Sequence, residues 1–350
     1  MDLASLIQFI TNGTLTEEQA QSAAYALADE GVDAEEKKAF LSTLAQRGEA
    51  PSEVAAFARA FRQMARDPGL EEWSPKGIDV CGTGGDHSGS FNISTTVAFI
   101  LASAGVPVLK HGNRSITSQS GSADLLTALG FPLELELEQL RESVETLNFC
   151  FLFAPQFHPA FKSIVPVRKA LAAQGQRTIF NLLGPLINPA KPAYQLLGVF
   201  DKAWVHPLAE ALEGLGLKRG LVVHGALEKG GMDELSCAAH NHIAGCGQLK
   251  AAKALPRLEE LGLKNCSPTA LTGGKAEDNV NILNNLLKQE GHAGLLDTVF
   301  LNAGAALWVA DKANHLSQGV SLARELVLDG TVQAWLNKAQ AFYRKLENRK

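Results

Sequence analysis

The sequence predicts an α/β protein: a small N-terminal helical domain over residues 1–72, then a large α/β domain over 73–350 with a mainly parallel central sheet flanked by helices. Three observations predict this. Up to about residue 70, apolar residues recur at helical spacing with no strand pattern. From Gly77 onward, short apolar runs alternate with helical stretches. The 350 residues also suffice for one large domain with a smaller one attached.

Leu3, Leu6, Ile7 and Ile10 mark the first helix. Thr16, with Gln19 three residues on, is a capping pair that starts the second, which runs to about Ala28. Asp33 or Ala34 starts a third, with Phe40, Leu41 and Leu44 on its apolar face and Gly48 at its end. Pro51 starts a fourth that runs towards Arg66. Ile78–Val80, Val106–Leu109, Phe149–Phe153, Tyr194–Val199 and Gly220–His224 read as strands. Helices are expected at 94–104, 122–129, 278–289, 295–310 and 316–328. The proline-bounded stretch 166–192 departs from this alternation and is expected to return onto the N-terminal helices.

Composition narrows the function classes. A content of 46% apolar and 20% charged residues is that of an ordinary globular enzyme, and a net charge of −5 gives no electrostatic case for nucleic-acid binding. The five cysteines, Cys81, Cys150, Cys237, Cys246 and Cys266, are scattered without C-x-x-C spacing, so they read as reduced thiols. Apolar stretches are too short to cross a membrane, and the N-terminus has no signal-peptide pattern. A cytoplasmic location is expected.

Three polar loops carry the chemistry. Gly82-Thr-Gly-Gly-Asp86 follows the first strand, where glycines permit positive φ and close approach of an anion to backbone N–H groups. Asn92, Ser94 and Thr95 stand at the next helix start, where they serve as caps, as phosphate and metal ligands, or as both. Lys110-His-Gly-Asn-Arg114 follows the second strand, and Ser115–Ser122 adds hydroxyls. In an open parallel sheet these loops share the carboxyl edge, where ligands bind, and Lys110 and Arg114 are expected to face the same anion. Asp233-Glu234 is either a solvated turn or a pair suited to Mg²⁺, which takes one or two carboxylates and the substrate's phosphates. Arg168 is either a surface cation or a bidentate clamp for a carboxylate.

Taken in order, Gly82-Thr-Gly-Gly-Asp86, Asn92-Ile-Ser-Thr95, Lys110-His-Gly-Asn-Arg114, Ser120-Gly-Ser122, Arg177-Thr-Ile-Phe-Asn-Leu-Leu-Gly-Pro-Leu-Ile-Asn-Pro189 and Met232-Asp-Glu234 resemble the anthranilate phosphoribosyltransferases. The likeness runs from Leu15 to Ala306. It implies a homodimer and Mg²⁺-dependent transfer of phosphoribose from PRPP to the anthranilate amine, a step of tryptophan biosynthesis, with no nucleic-acid or membrane partner. It also implies that Gly82, Gly85, Asp86, Ser90, Asn92, Ser94, Thr95, Lys110, Ser118 and Ser122 meet PRPP. Gly82, His111, Asn113 and Arg168 would meet anthranilate, and Ser94, Asp233 and Glu234 would meet the metal. No covalent or general-base residue is implied.

The sequence departs from the pattern at His87, where a glycine is usual, and at Gln119, where a lysine is common. The stretches before Arg177 and before Met232 are longer than usual. Rival readings are a transferase for another aromatic amine, a related pyrimidine nucleoside phosphorylase, and a non-catalytic nucleic-acid-binding relative. The acidic balance and the intact Asp233–Glu234 pair oppose the last.

Overall fold

The structure, a computed structural model, describes residues 1–114 and 119–349. Four helices open it: α1 (Leu3–Asn12), α2 (Glu17–Ala28), α3 (Ala34–Arg47) and α4 (Pro51–Met64). The capping pair forms at α2, where Thr16 Oγ1 accepts the Gln19 N–H at 3.3 Å and Gln19 Oε1 accepts the Thr16 N–H at 2.9 Å. The α/β alternation then begins with β1 (Ile78–Gly82), α5 (Ile93–Ser103), β2 (Val108–Gly112), α6 (Ser122–Ala128), α7 (Leu137–Leu147) and β3 (Phe149–Phe153).

Two short helices and a longer one fill the proline-rich stretch: α8 (Ala154–Phe157), α9 (Val165–Ala173) and α10 (Phe180–Leu183). After them come β4 (Tyr194–Gly198), α11 (Val205–Gly214), β5 (Arg219–Ala226), β6 (Gly231–Met232) and β7 (His240–Gly247). The chain closes with α12 (Ala276–Leu287), α13 (Ala293–Val309), α14 (Leu316–Leu328) and α15 (Thr331–Glu347).

The sheet runs β3-β2-β1-β4-β5, all parallel, and is then extended by β6 and β7, both antiparallel to β5. Side chains alternate across it because successive strand residues point to opposite faces. Leu196, Leu221 and Val223 enter one apolar core with α5, α13 and α15, whereas Leu197 and Val222 enter a second. That second core continues through Leu208 and Leu212 of α11 into Phe57 and Phe61 of α4. Val167, Leu171, Phe180 and Leu183 pack into the same core beside the four N-terminal helices.

Two differences from the sequence reading matter. The second strand does not end at Leu109: it carries Lys110, His111 and Gly112, paired with Phe151, Leu152 and Phe153 of β3. Charged residues can extend this strand because polar partners meet them inside. Strands β6 and β7, each antiparallel to β5, and the last helix, α15, go beyond that reading. Gly- and His-rich β7 lacks a clear apolar alternation, so its pairing with β5 sets its conformation.

Candidate active site

The carboxyl ends of β1, β2 and β5 converge, and each delivers a polar loop. At the end of β1, Gly84 and Gly85 have φ of 67° and 71°, the left-handed turn that glycine permits. Gly82 has no such φ. A methyl group there would strike the Asp233 carboxylate, so this glycine makes room for the acid loop. Gly84 N–H in turn donates to Asp233 Oδ2 at 2.8 Å, and Asp233 N–H donates to Asp86 Oδ2 at 3.3 Å. His87 adopts φ of 57°, the conformation for which a glycine is usual at this position.

Asp233 and Glu234 follow β6, the return strand of a hairpin whose tip is the extra stretch 227–230. Asn302 of α13 clamps the loop at both backbone groups of Leu235, accepting its N–H at 3.0 Å and donating to its carbonyl at 2.7 Å. Burial raises the Asp233 pKa, and the neighbouring Asp86 adds to the rise. Burial and Asp233 push Glu234 well up, against the opposing pull of Lys110.

Three carboxylates thus lean on one another with Ser94 nearby, a hard all-oxygen donor set of the kind that suits Mg²⁺. Among the described residues no group of three or more His, Cys, Asp or Glu side chains is arranged to hold a metal by itself. An ion that completes its shell with substrate oxygens fits such a partial site.

Lys110 is buried to 1% exposure, and its ammonium donates to Val80 O at 2.5 Å and to Ser94 Oγ at 3.4 Å. Burial lowers its pKa, opposed chiefly by Asp79. Arg114 does not join it: its guanidinium turns to Asp124 at 3.2 Å on the exposed side, which corrects the expectation of two cations on one anion. Asn113 lies exposed beside it.

At the start of α5 the cap reading is not realised, since the Asn92 side chain makes no capping bond. Instead Asn92 ties loops together. It donates to Ser120 O at 3.1 Å and accepts from Asn279 at 2.7 Å. Among the described residues Thr95 Oγ1 is fully buried with no partner. Ser90 is bridged to Thr272, and Ser122 opens α6. Ser118 lies outside the described residues.

A second wall faces β2. His111 and His158 are buried with ring centroids 5.0 Å apart, and the Nε2 of each lacks a partner among the described residues. Burial lowers both, His158 to about 4 and His111 well below its ordinary value, so both are neutral near pH 7. Phe161 stacks edge-on to His158 and to Phe180, and Arg168 lies 5.4 Å over the Phe180 ring. Burial lowers the Arg168 pKa, and among the described residues no carboxylate pairs with it.

Sequence reasoning gave no role to Asp79, His158, Asn188, Asn279 and Asn302. Each is buried and acts through tertiary contacts rather than a local pattern. Arg177 stood out in the sequence only as part of a motif. It donates to Gly85 O at 2.9 Å while stacking 3.7 Å over Phe200, and so braces the glycine loop.

Known proteins resemble this chain along nearly its whole length. Residues 74–333 match the α/β domain of a glycosyl transferase family, and 4–65 match that family's helical bundle domain. An anthranilate phosphoribosyltransferase of Rubrobacter xylanophilus is 42% identical over 338 residues, 96% of this chain and 95% of that protein. The crystal structure of the Thermus thermophilus enzyme of the same name superposes with a TM-score of 0.88 at 44% identity, covering 98% of this chain and all of that one. The chain belongs to the anthranilate phosphoribosyltransferase family. A more distant member from Saccharomyces cerevisiae, solved with PRPP and Mg, shares the fold at 22% identity and a TM-score of 0.83. The fold of the family is thus the one that the sequence predicted.

Proposed function

We propose that this chain transfers phosphoribose from PRPP to the amine of anthranilate, releasing pyrophosphate, as a step of tryptophan biosynthesis. The observation that carries this reading is the joining of the acid loop to the glycine loop at Asp233 and Gly84, beside the buried ammonium of Lys110. A diphosphate needs that combination of hydrogen-bond donors, a fixed cation and carboxylates for a metal.

Asp86, Asp233, Glu234 and Ser94 are the residues to hold Mg²⁺. When bound, the ion neutralises charge on the diphosphate that departs. Lys110 and the N–H groups of the glycine loop stabilise the same developing anion, which is electrostatic preorganisation. Thr95, with its unpartnered hydroxyl, Asn92, Ser90, Gly85, Ser118 and Ser122 complete the PRPP cradle.

The acceptor binds on the aromatic wall. Arg168 takes its carboxylate, while Gly82 and Asn113 border the ring. The neutral His111 and His158 offer Nε2 lone pairs to the amine's N–H groups, aligning it for attack on the ribose C1. No covalent intermediate is needed, because the transition state gathers positive charge on the ribose as the diphosphate leaves.

Residues 1–72 with 166–192 would act as one unit and 73–350 as the other, a reading supported by the packing of Val167, Leu171, Phe180 and Leu183 beside the four helices, in an apolar core that β4, β5 and α11 also enter. Pairing of two copies is supported by Phe9 and Tyr25, exposed on the helical bundle. A cytoplasmic location is supported by five free cysteines. Among the described residues no helix is long and apolar enough to cross a membrane.

The test is to follow loss of anthranilate fluorescence with PRPP and Mg²⁺ present. Absence of turnover, together with no PRPP-dependent thermal shift, would overturn the reading. Arg168→Ala should raise the anthranilate KM and leave PRPP binding near the wild-type value. An equal loss of both would overturn the assignment of roles.

A further inference from the structure

β1 and β2 are neighbours, yet their ladder is in register at Ile78 and Val108 alone, while β1 and β4 pair through five successive residues. Past that pair, polar side chains fill the seam between the two strands. Asp79, fully buried, accepts the His111 backbone N–H at 3.3 Å and the Asn188 amide at 2.8 Å. The same Asn188 nitrogen also donates to Leu109 O at 2.7 Å, and its oxygen accepts the Ala190 N–H at 2.9 Å. Lys110 donates to Val80 O. Val80 O, Leu109 O and His111 N–H, backbone groups of both strands, therefore find side-chain partners in place of ladder bonds.

This is a costly way to join two strands. Burial pushes Asp79 up to about 6 and pushes Lys110 down, so each charge is held against desolvation by its surroundings. A continued ladder with apolar side chains would join β1 and β2 without that cost. What the arrangement supplies is direction: it fixes Lys110 and His111, successive residues of β2 whose side chains leave the strand on opposite faces towards Ser94 and His158.

We propose that Asp79, braced by Asn188, is a positioning residue that aims Lys110 at the departing diphosphate and His111 at the acceptor. Asp79 pins the backbone at His111 and is the chief charge opposing desolvation of the Lys110 ammonium, which bonds Val80 O and Ser94 Oγ. Asn188 locks the carboxylate from the opposite side and anchors Leu109, the residue before Lys110. This inference rests on the roles given above to Lys110 and His111.

A double-mutant cycle tests it. Asp79→Asn should lower kcat by about 30-fold or more, leave the PRPP KM within about threefold, and keep the thermal midpoint at or above that of the wild type. In a Lys110→Ala background the same substitution should cost at least about threefold less than in the wild type, because one of the two groups it aims is gone. Equal losses in both backgrounds, or a wild-type kcat for Asp79→Asn, would overturn the proposal. If Lys110→Ala alone retains the wild-type kcat, the assignment of Lys110 under the proposed function is what fails. Should Asp79→Asn not fold, Asn188→Ala takes its place in the cycle, with the same two outcomes.

Discussion

The Asp233 carboxylate accepts the Gly84 N–H at 2.8 Å across 149 residues of chain, so the acid loop and the glycine loop form one surface. The contact explains two glycines that sequence alone would assign to ligand approach or strand geometry. A Cβ at Gly82 would meet the Asp233 carboxylate, and one at Gly198 would meet its backbone carbonyl. Both positions are empty so that Asp233 can reach the loop.

Gly82→Ala should therefore act on the acid rather than on the substrate alone. The methyl group pushes the Asp233 side chain off Gly84, and we expect kcat to fall by about 100-fold with a stability loss of about 1 kcal/mol. Gly198→Ala presses on main chain, which cannot rotate away, and should cost about 3 kcal/mol. Steady-state kinetics and urea denaturation separate the two. A Gly82→Ala enzyme with wild-type kcat would contradict this account.

His87 stands in the left-handed region at φ 57°, where a side chain is strained and a glycine is not. His87→Gly should relieve that strain, offset in part by the greater freedom of glycine in the unfolded chain. The expected net gain is about 0.5 kcal/mol, read as a higher urea midpoint. A lower midpoint would mean that the imidazole makes contacts worth more than the strain.

Much of this site was legible in the sequence because its chemistry is local. Glycines at 84 and 85, hydroxyls at a helix start and adjacent acids at 233 and 234 each declare themselves within a few residues. Lys110 was legible as a cation but not as a strand residue, since nothing in Lys-His-Gly reveals that Val80 O and Ser94 wait inside to receive it. Arg114 was misread for the same reason: its partner Asp124 lies in the next helix, and only the folded loop brings them together. His158 and Asn302 carried no signal of their own. One is a lone histidine near a proline and the other an asparagine in an apolar helix, and only tertiary contact gives either a task.

Glu53 should prove a main support of the N-terminal helices. It is fully buried, accepts the N–H groups of Leu15 at 2.7 Å and Ala50 at 2.8 Å, and pairs with Arg47. Glu53→Ala leaves two donors and a partly buried guanidinium without their acceptor, at an expected cost of about 3 kcal/mol. Glu53→Gln keeps an acceptor for one N–H and should lose less. Denaturant midpoints of the two variants check the order, and equal losses would show that the charge matters more than the hydrogen bonds.

His158 should make stability depend on pH in a defined direction. Burial lowers its pKa from 6.5 to about 4, while in the unfolded chain it titrates near its ordinary value. Between those values the unfolded chain binds a proton that the folded protein refuses. The stability from a neutral His158 is therefore complete above pH 6.5 and is lost as pH falls towards 4. At ~1.4 kcal/mol per unit, the loss attributable to this residue between pH 7 and pH 4.5 is about 2 kcal/mol. His158→Gln cannot titrate, so the ligand-free variant should lose that much less over the same interval than the wild type. Chemical denaturation at the two pH values measures the difference. Parallel losses in both proteins would mean that His158 takes up its proton in the folded state as readily as in the unfolded chain.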